Sequence, residues 1–236
     1  MKFRVWSALF LVVGAVSGCS GSTSAVIDTM RSVVRRDEGA NDARLNPNFR
    51  YLRVTVGRRS ALLVLGYVEP HAQGPIEVWY SAEREVIRLQ NGRVVGAVGL
   101  TTEWRNVVLV NPPSWLALSK ASSTAQLARL RDTMPGYRYG LRETLQIVAT
   151  PPPARSALQS LDIQELAWFE ETAEPETAGA TRRNLFDEDR LPVARYAVAF
   201  DGGNANVVYG EQCLSRDLCF SWQRWPGAPL NAKADR

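Results

Sequence analysis

The sequence predicts a mainly β protein of antiparallel sheets, forming a sandwich or a partly closed barrel, with an N-terminal amphipathic helix and one short additional helix. Three observations lead to this fold class. Beyond residue 48, apolar residues recur at every second position, as in half-buried strands. These runs are short and are separated by turn residues such as the pair Asn91-Gly92. Helical spacing is confined to two segments, so the strands must bury their apolar faces against one another.

Residues 1–18 resemble a secretory signal peptide. Lys2 and Arg4 precede an apolar run from Val5 to Val16, and small residues follow the run. The run is about a dozen residues long, whereas a helix that spans a membrane needs roughly 20. We therefore interpret these residues as a signal peptide and not as a transmembrane helix.

Cys19 directly follows the leader, in a pattern that resembles a bacterial lipobox. The small residues Ser17 and Gly18 after Val16 allow the backbone to enter a peptidase groove. The thiol of Cys19 would then carry diacylglycerol and become the mature N-terminus. Because each buried CH₂ group contributes about 0.8 kcal/mol, two or three acyl chains such as palmitate hold a domain on a bilayer almost permanently. An ordinary secretory signal with a chance cysteine is the alternative.

The resemblance to lipoproteins implies a location. Ser20, where an aspartate usually marks inner-membrane retention, implies anchoring on the periplasmic face of the outer membrane. Residues 19–24 form the lipidated N-terminus and a flexible tether. Residues 25–236 are long enough for a single β-rich periplasmic domain with its own core.

The net charge argues against nucleic acid as a partner. The formal charge of +4 includes Lys2 and Arg4, so the chain without its leader carries +2. The basic residues are scattered among acidic ones, and no basic stripe with interleaved aromatic residues is present. We expect no nucleic-acid binding.

The elements follow in order along the chain. Helical spacing predicts an amphipathic helix from about Ser24 to Arg36. RYLRVTVG and SALLVLGYVE predict a β-hairpin, and IEVWYSA, REVIRLQ, RVVGAVG and NVVLV predict further strands, with a tight turn at Asn91-Gly92. NPPSWL is interpreted as a loop and TAQLARLRD as the short additional helix.

The last third of the chain returns to the strand pattern. LRETLQIVA and LDIQELAWFEE are predicted strands, ARYAVAF and ANVVYGEQC form a last predicted hairpin, and FSWQRWP follows the cysteine loop. The triple proline Pro151 to Pro153 interrupts them, and the acidic span from Thr172 to Arg190 predicts a long surface loop.

Cys213 and Cys219 are the cysteines that remain beyond Cys19. In an oxidising compartment, two cysteines this close in sequence most simply form a local disulfide. The alternative is a metal site, but zinc takes about four nitrogen or sulfur ligands, and the one histidine, His71, is far away in sequence. We predict a disulfide that fixes the loop CLSRDLC, and no metal.

No residue pattern in the chain points to a particular catalytic chemistry. His71 lies in a loop, and the sequence contains no motif that would place a nucleophile beside it. Motifs for nucleotide binding, zinc proteases and calcium binding are also missing, so we predict no cofactor. Cleavage of a glycosidic bond would require two carboxylates that face each other. Six glutamates are candidates, and their spacing in the sequence does not indicate which two would form the pair. These are Glu77, Glu83, Glu85, Glu103, Glu143 and Glu165.

Tryptophans offer a second candidate chemistry, because flat rings stack on the C–H faces of sugars. Core packing explains most of them equally well. Trp222 and Trp225 are singled out as possible glycan contacts, because they follow the constrained cysteine loop.

The segment VIRLQNGRVVGAVGL, Val86 to Leu100, is preceded by WYSAE and followed by Trp104. Together with the lipobox and the run YLRVTVGRRSALLVLGYVE, it resembles the group 4 capsule polysaccharide lipoprotein family, also called YjbF-like or YmcC-like. The resemblance covers most of the mature chain in order, and YGEQCLSRDLCFSW is a looser fit with its own cysteine pair. It implies a β-rich outer-membrane lipoprotein of capsule or exopolysaccharide production, with no catalytic residues to carry over.

Three functional hypotheses remain at this point. The first is a non-enzymatic accessory in capsule or exopolysaccharide assembly or export, whose partner is an outer-membrane export protein or the polysaccharide itself. The second is a polysaccharide-modifying hydrolase with paired carboxylates. The third is a structural envelope lipoprotein without a glycan ligand.

Overall fold

The computed structural model describes residues 45–176 and 190–227. Within these ranges the chain forms twelve β-strands, one α-helix and one 3-10 helix. The signal peptide, Cys19 and the predicted helix from Ser24 to Arg36 lie outside the described residues. The elements are β1 (Tyr51–Val56), β2 (Arg59–Glu69), β3 (Ile76–Tyr80), β4 (Val86–Gln90), β5 (Arg93–Val98), β6 (Glu103–Val110), α1 (Trp115–Lys120), β7 (Ala125–Met134), β8 (Arg138–Thr150), the 3-10 helix (Ile163–Glu165), β9 (Ala167–Pro175), β10 (Ala194–Asp201), β11 (Asn204–Cys213) and β12 (Cys219–Trp225).

The strands form one antiparallel sheet that closes into a barrel. Each strand pairs with the next in sequence, and β1 also pairs with β12. The closure is thinnest between β5 and β6, where Ala97 and Trp104 are the single residue pair in register. The predicted mainly β fold class is confirmed, and the sheet is a barrel with one weakly paired seam.

The predicted turns explain why consecutive strands pair. Asn91 and Gly92 join β4 to β5 with φ angles of 48° and 81°, the left-handed values that a tight hairpin turn requires. A Cβ atom on Gly92 would lie 2.4 Å from the Cβ of Val207, so the packing also requires glycine here. β8 ends at Thr150, directly before the triple proline.

The short helix is not where the sequence pattern placed it. TAQLARLRD was predicted to be helical, but Ala125–Met134 is the strand β7. The alternation of Leu127, Arg129, Arg131 and Thr133 was obscured because two of these inward-facing residues are charged. The helix α1 instead begins at the end of the predicted loop NPPSWL and continues to Lys120. The Ser114 hydroxyl is its N-cap and accepts a hydrogen bond from the Ala117 N–H.

Successive turns of an antiparallel barrel lie at alternate ends, so the molecule has two ends with different loops. The first, called the Trp115 end, carries the β4–β5 turn and α1. Trp115 closes this end: its ring lies 5.2 Å from that of Phe169 and 5.1 Å from that of Tyr196, and its Nε1–H donates to the Asn91 carbonyl. The second, called the disulfide end, carries the β5–β6, β7–β8, β9–β10 and β11–β12 connections.

Two hydrophobic clusters hold the fold together. The larger fills the barrel and includes the fully buried rings of Trp79, Trp104 and Trp222. The smaller lies where residues 157–163 pack against Trp168 and Tyr209. In the ranges that the structure describes, no helix has the length and apolar character needed to cross a membrane.

The predicted long loop is shorter at its start than expected. β9 continues to Pro175 because it pairs with β8 up to that residue, so Thr172 and its neighbours are strand and not loop. Residues 177–189 of the predicted loop lie outside the described residues.

Candidate functional site

A row of alternating charges runs through the interior of the barrel. We call it the charged row, and it consists of Arg93, Glu171, Arg129, Glu143 and Arg131, none of which is more than 5% exposed. These residues come from β5, β9, β7 and β8, and the contact between β5 and β9 joins strands that are not neighbours in the sheet. The row therefore lies inside the barrel and not on its surface.

Short ion pairs connect the members of the charged row. Arg93 Nε lies 2.8 Å from Glu171 Oε2, and Arg129 NH1 lies 4.0 Å from Glu171 Oε1. Arg129 NH2 lies 2.7 Å from Glu143 Oε2, and Arg131 NH2 lies 2.8 Å from Glu143 Oε1. A buried charge without a partner is energetically costly, so the loss of any one of these side chains would leave a neighbouring charge without its partner.

Aromatic rings flank the guanidinium groups. The Arg93 guanidinium lies 4.0 Å from the centroid of the Trp115 ring. Those of Arg129 and Arg131 lie 4.8 and 5.3 Å from the Trp104 ring. The negative faces of these rings compensate in part for the hydration that the arginines lose on burial.

The charged row keeps Glu143 ionised. Burial by itself raises the pKa of this carboxyl, but the charges of Arg129 and Arg131 and their hydrogen bonds outweigh burial, so the pKa lies below its ordinary value. Burial likewise raises the pKa of Tyr196, with the Glu171 charge as a further cause. The Tyr196 hydroxyl therefore stays protonated and donates to Gln212 Oε1 at 3.1 Å.

Gln212 links this network to the seam of the barrel. Its Oε1 also accepts from the backbone N–H of Val94 in the weakly paired strand β5, at 3.1 Å. The Gln212 side chain thus accepts the hydrogen bond of a backbone N–H in β5, the strand that has few backbone hydrogen bonds to β6.

The charged row ends at a cavity in the disulfide end of the barrel. The cavity has a volume of about 250 Å³. Its lining combines two arginines, one buried and one exposed, with hydroxyl and apolar side chains from four connections and the barrel wall. The residues are Thr102, Arg131, Thr133, Met134, Pro135, Arg138, Leu191, Leu214 and Ser215. We call it the mouth cavity.

Arg131 is the member of the charged row that reaches the mouth cavity. One of its nitrogens, NH2, is bound by Glu143, but its buried Nε has no hydrogen-bond partner. A buried N–H donor without a partner is rare in proteins and costs about 1–3 kcal/mol. The mouth cavity is therefore lined by an arginine whose guanidinium group is not fully hydrogen-bonded.

The β7–β8 hairpin places two tyrosines beside the mouth cavity. Tyr137 and Tyr139 are 74% and 63% exposed and flank Arg138, which lines the cavity. Tyr137 has a φ angle of 52°, which is unusual for a bulky residue and is often found at functional sites. The Gly140 N–H donates to Asp132 Oδ1 at 2.7 Å and ties the hairpin together.

The disulfide holds the opposite wall of the mouth cavity. Cys213 and Cys219 are bonded, with a Cα–Cα distance of 3.9 Å. The enclosed loop contributes Leu214 and Ser215 to the cavity lining. The Leu214 carbonyl accepts from Trp104 Nε1–H at 3.0 Å, so this loop is also tied to the ring beneath Arg131.

The two tryptophans predicted to contact glycans have different environments. Trp222 is 0% exposed, so the prediction of a surface glycan contact is wrong for this residue. Its side chain points into the barrel core, and its ring fills the space over Gly210. Trp225 is partly exposed near the Trp115 end, with the Arg53 guanidinium 5.5 Å from its ring, and its glycan contact stays a prediction.

Four of the six glutamates considered for hydrolysis are bound by neighbouring side chains, and one of them, Glu103, forms an ion pair with Arg105 at 2.5 Å. Both oxygens of Glu143 are taken by arginines, and both oxygens of Glu77 accept from Arg224, at 3.0 and 2.9 Å. Glu85 is buried and accepts from the Ser81 hydroxyl. These carboxylates are engaged in structural interactions.

His71 is an exposed loop residue, as its sequence context indicated. Its Nδ1 lies 2.7 Å from Gln90 Nε2 and accepts from the Gln73 backbone N–H at 3.2 Å. In the described part of the chain, no group of three or more histidine, cysteine, aspartate or glutamate side chains is arranged to hold a metal ion.

Sequence reasoning missed the charged row and the exposed tyrosines. Arg93 was interpreted only as the first residue of a strand, whereas it is buried together with the four residues that follow it. In LARLRD, the two arginines alternate with the same period as the apolar Leu127. The sequence MPGYRYG, with an arginine between two tyrosines in a glycine-flanked turn, carried the signal for an exposed aromatic hairpin.

These features define a class of protein: a β-barrel domain closed at one end by a helix, with a charged interior that leads to a cavity at the other end. Residues 41–180 match the family described as group 4 capsule polysaccharide lipoprotein gfcB, YjbF, and the chain belongs to this family. Membership of a lipoprotein family implies a membrane-associated location in the cell envelope.

A solved structure shares the fold. The crystal structure of the hypothetical lipoprotein YmcC from Escherichia coli (K12) is similar with a TM-score of 0.52 and 15% sequence identity, over 90% of this chain and 100% of that chain. At this identity the likeness concerns the fold alone. No curated protein matches the chain by sequence.

Proposed function

We propose that this lipoprotein is a non-enzymatic accessory in the assembly or export of capsule polysaccharide or exopolysaccharide, and that the disulfide end of the barrel contacts the polymer. In this proposal residues 1–18 are removed, and Cys19 is lipidated and anchors the chain. The domain of residues 25–236 lies on the periplasmic face of the outer membrane. A polysaccharide export protein or the polysaccharide is the partner. Family membership supports the link to capsule polysaccharide.

The observation that carries the proposal is the pair of exposed tyrosines beside the mouth cavity. Tyrosine rings offer flat apolar faces for sugar C–H groups and a hydroxyl for hydrogen bonds. Tyr137 and Tyr139 stand on the hairpin that borders the cavity, where Thr102, Thr133 and Ser215 supply hydroxyl groups. A groove with aromatic rings and hydroxyls suits a carbohydrate chain.

The carboxylates of the interior support a binding role and not hydrolysis. A glycosidase needs one carboxyl that donates a proton and a second that acts as base or nucleophile. The pKa of Glu143 is lowered, and arginines occupy both of its oxygens. This carboxylate is therefore suited to holding Arg129 and Arg131 in place.

The test replaces both tyrosines with alanine in the full chain. Oligosaccharides prepared from the capsule polysaccharide of the parent strain are titrated against detergent-solubilised lipoprotein, and binding is followed by calorimetry. We expect Tyr137→Ala with Tyr139→Ala to weaken binding by roughly tenfold or more, since each lost ring contact contributes about 1 kcal/mol. A deletion strain complemented with this variant should show less surface polysaccharide than one complemented with the wild type.

Tyr67→Ala is the matched control. Tyr67 is 53% exposed, but it lies near the Trp115 end of β2, away from the mouth cavity. Its replacement should leave binding and surface polysaccharide unchanged. Unaltered binding by the double variant, or a deletion strain with surface polysaccharide of normal amount and length, would contradict the proposal.

A further inference from the structure

We propose that the mouth cavity recognises a negatively charged sugar, with Arg131 binding the carboxylate of an acidic residue in the polysaccharide. This inference rests on the proposed function, because it assumes that the polymer meets the disulfide end. It adds the chemical class of the ligand and the contact that selects it.

The first argument is the charge balance of the interior. The charged row contains three guanidinium groups, of Arg93, Arg129 and Arg131, and two carboxylates, of Glu143 and Glu171. Arginine stays protonated in proteins even when it is buried, so the row carries one positive charge in excess.

The second argument is where the excess charge lies. Arg129 contacts both carboxylates, at 2.7 Å to Glu143 and 4.0 Å to Glu171. Arg131 contacts Glu143 alone and shares that carboxylate with Arg129. Arg93 at the other end also contacts one carboxylate and has a buried nitrogen without a partner, but Arg129 approaches Glu171 only to 4.0 Å. Arg131 shares its carboxylate more closely with Arg129 than Arg93 does, and it is the member of the row that lines the cavity.

The third argument is the unused donor. Arg131 is 5% exposed, lines the mouth cavity and has a buried Nε without a hydrogen-bond partner among the described residues. A carboxylate in the cavity would supply the missing negative charge beside a guanidinium group whose donors are not all used. Guanidinium groups match planar carboxylates in both charge and geometry.

The size and the remaining lining favour a single sugar unit. The cavity volume of about 250 Å³ lies below the roughly 300–1,000 Å³ of pockets that enclose drug-sized ligands. The hydroxyls of Thr102 and Ser215 lie 3.2 Å apart in the wall and are suited to hydrogen bonds with sugar hydroxyls. Neighbouring units of the chain would then lie over Tyr137 and Tyr139.

The test compares two probes with the same sugar backbone, whose carboxyl groups are ionised in one and methyl-esterified in the other. Tri-galacturonic acid and its fully methyl-esterified form are titrated against the full-length lipoprotein by calorimetry at low salt. We expect the acid to bind at least about tenfold more tightly than the ester, the ratio expected for a hydrogen bond to a charged group. The difference should shrink as salt is added, because screening weakens the attraction.

Three variants with the same change of charge locate the effect. Arg131→Gln leaves two arginines and two carboxylates in the charged row, so we expect it to fold and to bind acid and ester equally. Arg138→Gln changes an exposed residue at the rim and should reduce the preference for the acid. Arg50→Gln, exposed near the Trp115 end, should leave the preference unchanged.

The outcomes separate this inference from the proposed function. Equal binding of acid and ester by the wild type would overturn the inference and leave glycan binding intact. Absence of binding to the strain's own oligosaccharides would overturn the proposed function as well. Displacement of the acid by inorganic phosphate at equal concentration would overturn the assignment to a sugar carboxylate. If Arg131→Gln does not fold, the probe comparison with the wild type and Arg138→Gln decides the question.

Discussion

Glu143 is the residue on which two buried cations depend. Arg129 and Arg131 both bind its carboxylate, and the side chain is 1% exposed. Removing one member of a buried ion pair leaves an uncompensated charge and costs about 3–5 kcal/mol. We expect Glu143→Gln to lower the free energy of unfolding at pH 7 by this amount, as measured by urea denaturation.

The same residue predicts how stability depends on pH. Because the folded-state pKa of Glu143 is lowered, its ionised form adds stability above the unfolded-state pKa, and this contribution is lost as the pH falls through the folded-state pKa. The wild type should therefore lose more stability between pH 7 and acidic pH than Glu143→Gln does. Parallel stability profiles for the two proteins would show that Glu143 does not titrate as argued here.

At the scale of elements, the β11–β12 connection is held by a covalent bond in addition to the packing of Leu214 and Leu218 in the core. The disulfide between Cys213 and Cys219 closes a loop with a sequence separation of six residues. In the loop-entropy description such a short loop gains about 2 kcal/mol. Cys213→Ser with Cys219→Ser should lower the free energy of unfolding by about this amount in chemical denaturation.

The same double variant should also weaken glycan binding, because Leu214 and Ser215 in the closed loop line the mouth cavity. Calorimetry with the strain's oligosaccharides measures this effect. A variant that is less stable but binds as tightly as the wild type would show that the loop is not part of the site.

At the scale of the whole molecule, the proposed lipid anchor at Cys19 would decide where the barrel acts. We expect Cys19→Ala to release the protein from the membrane fraction, because no thiol would remain at position 19 to carry acyl chains. Fractionation of cells labelled with a palmitate analogue measures both location and lipidation. Label retained by Cys19→Ala, or wild-type protein with an intact leader, would refute the assignment of the anchor.

Local structure in this chain follows from local sequence. The hairpin at Asn91-Gly92 forms because these residues accept positive φ angles, and strands such as Ile76–Tyr80 follow from alternating apolar residues. Predictions failed where an interaction between distant strands altered the pattern. Arg129 and Arg131 point inward because Glu143 and Glu171 neutralise them, so β7 did not show the apolar alternation of a strand.

The sequence by itself determined the strand-rich fold class, the principal hairpin turns and the resemblance to a family of capsule lipoproteins. Each of these depends on residues that are close together in the chain. The tertiary structure alone decided that Trp222 is buried, that Trp115 closes one end and that the charged row leads to a cavity at the other. These features depend on which strands face each other across the barrel. That information lies in pairings between residues far apart in sequence, as between Arg93 and Glu171.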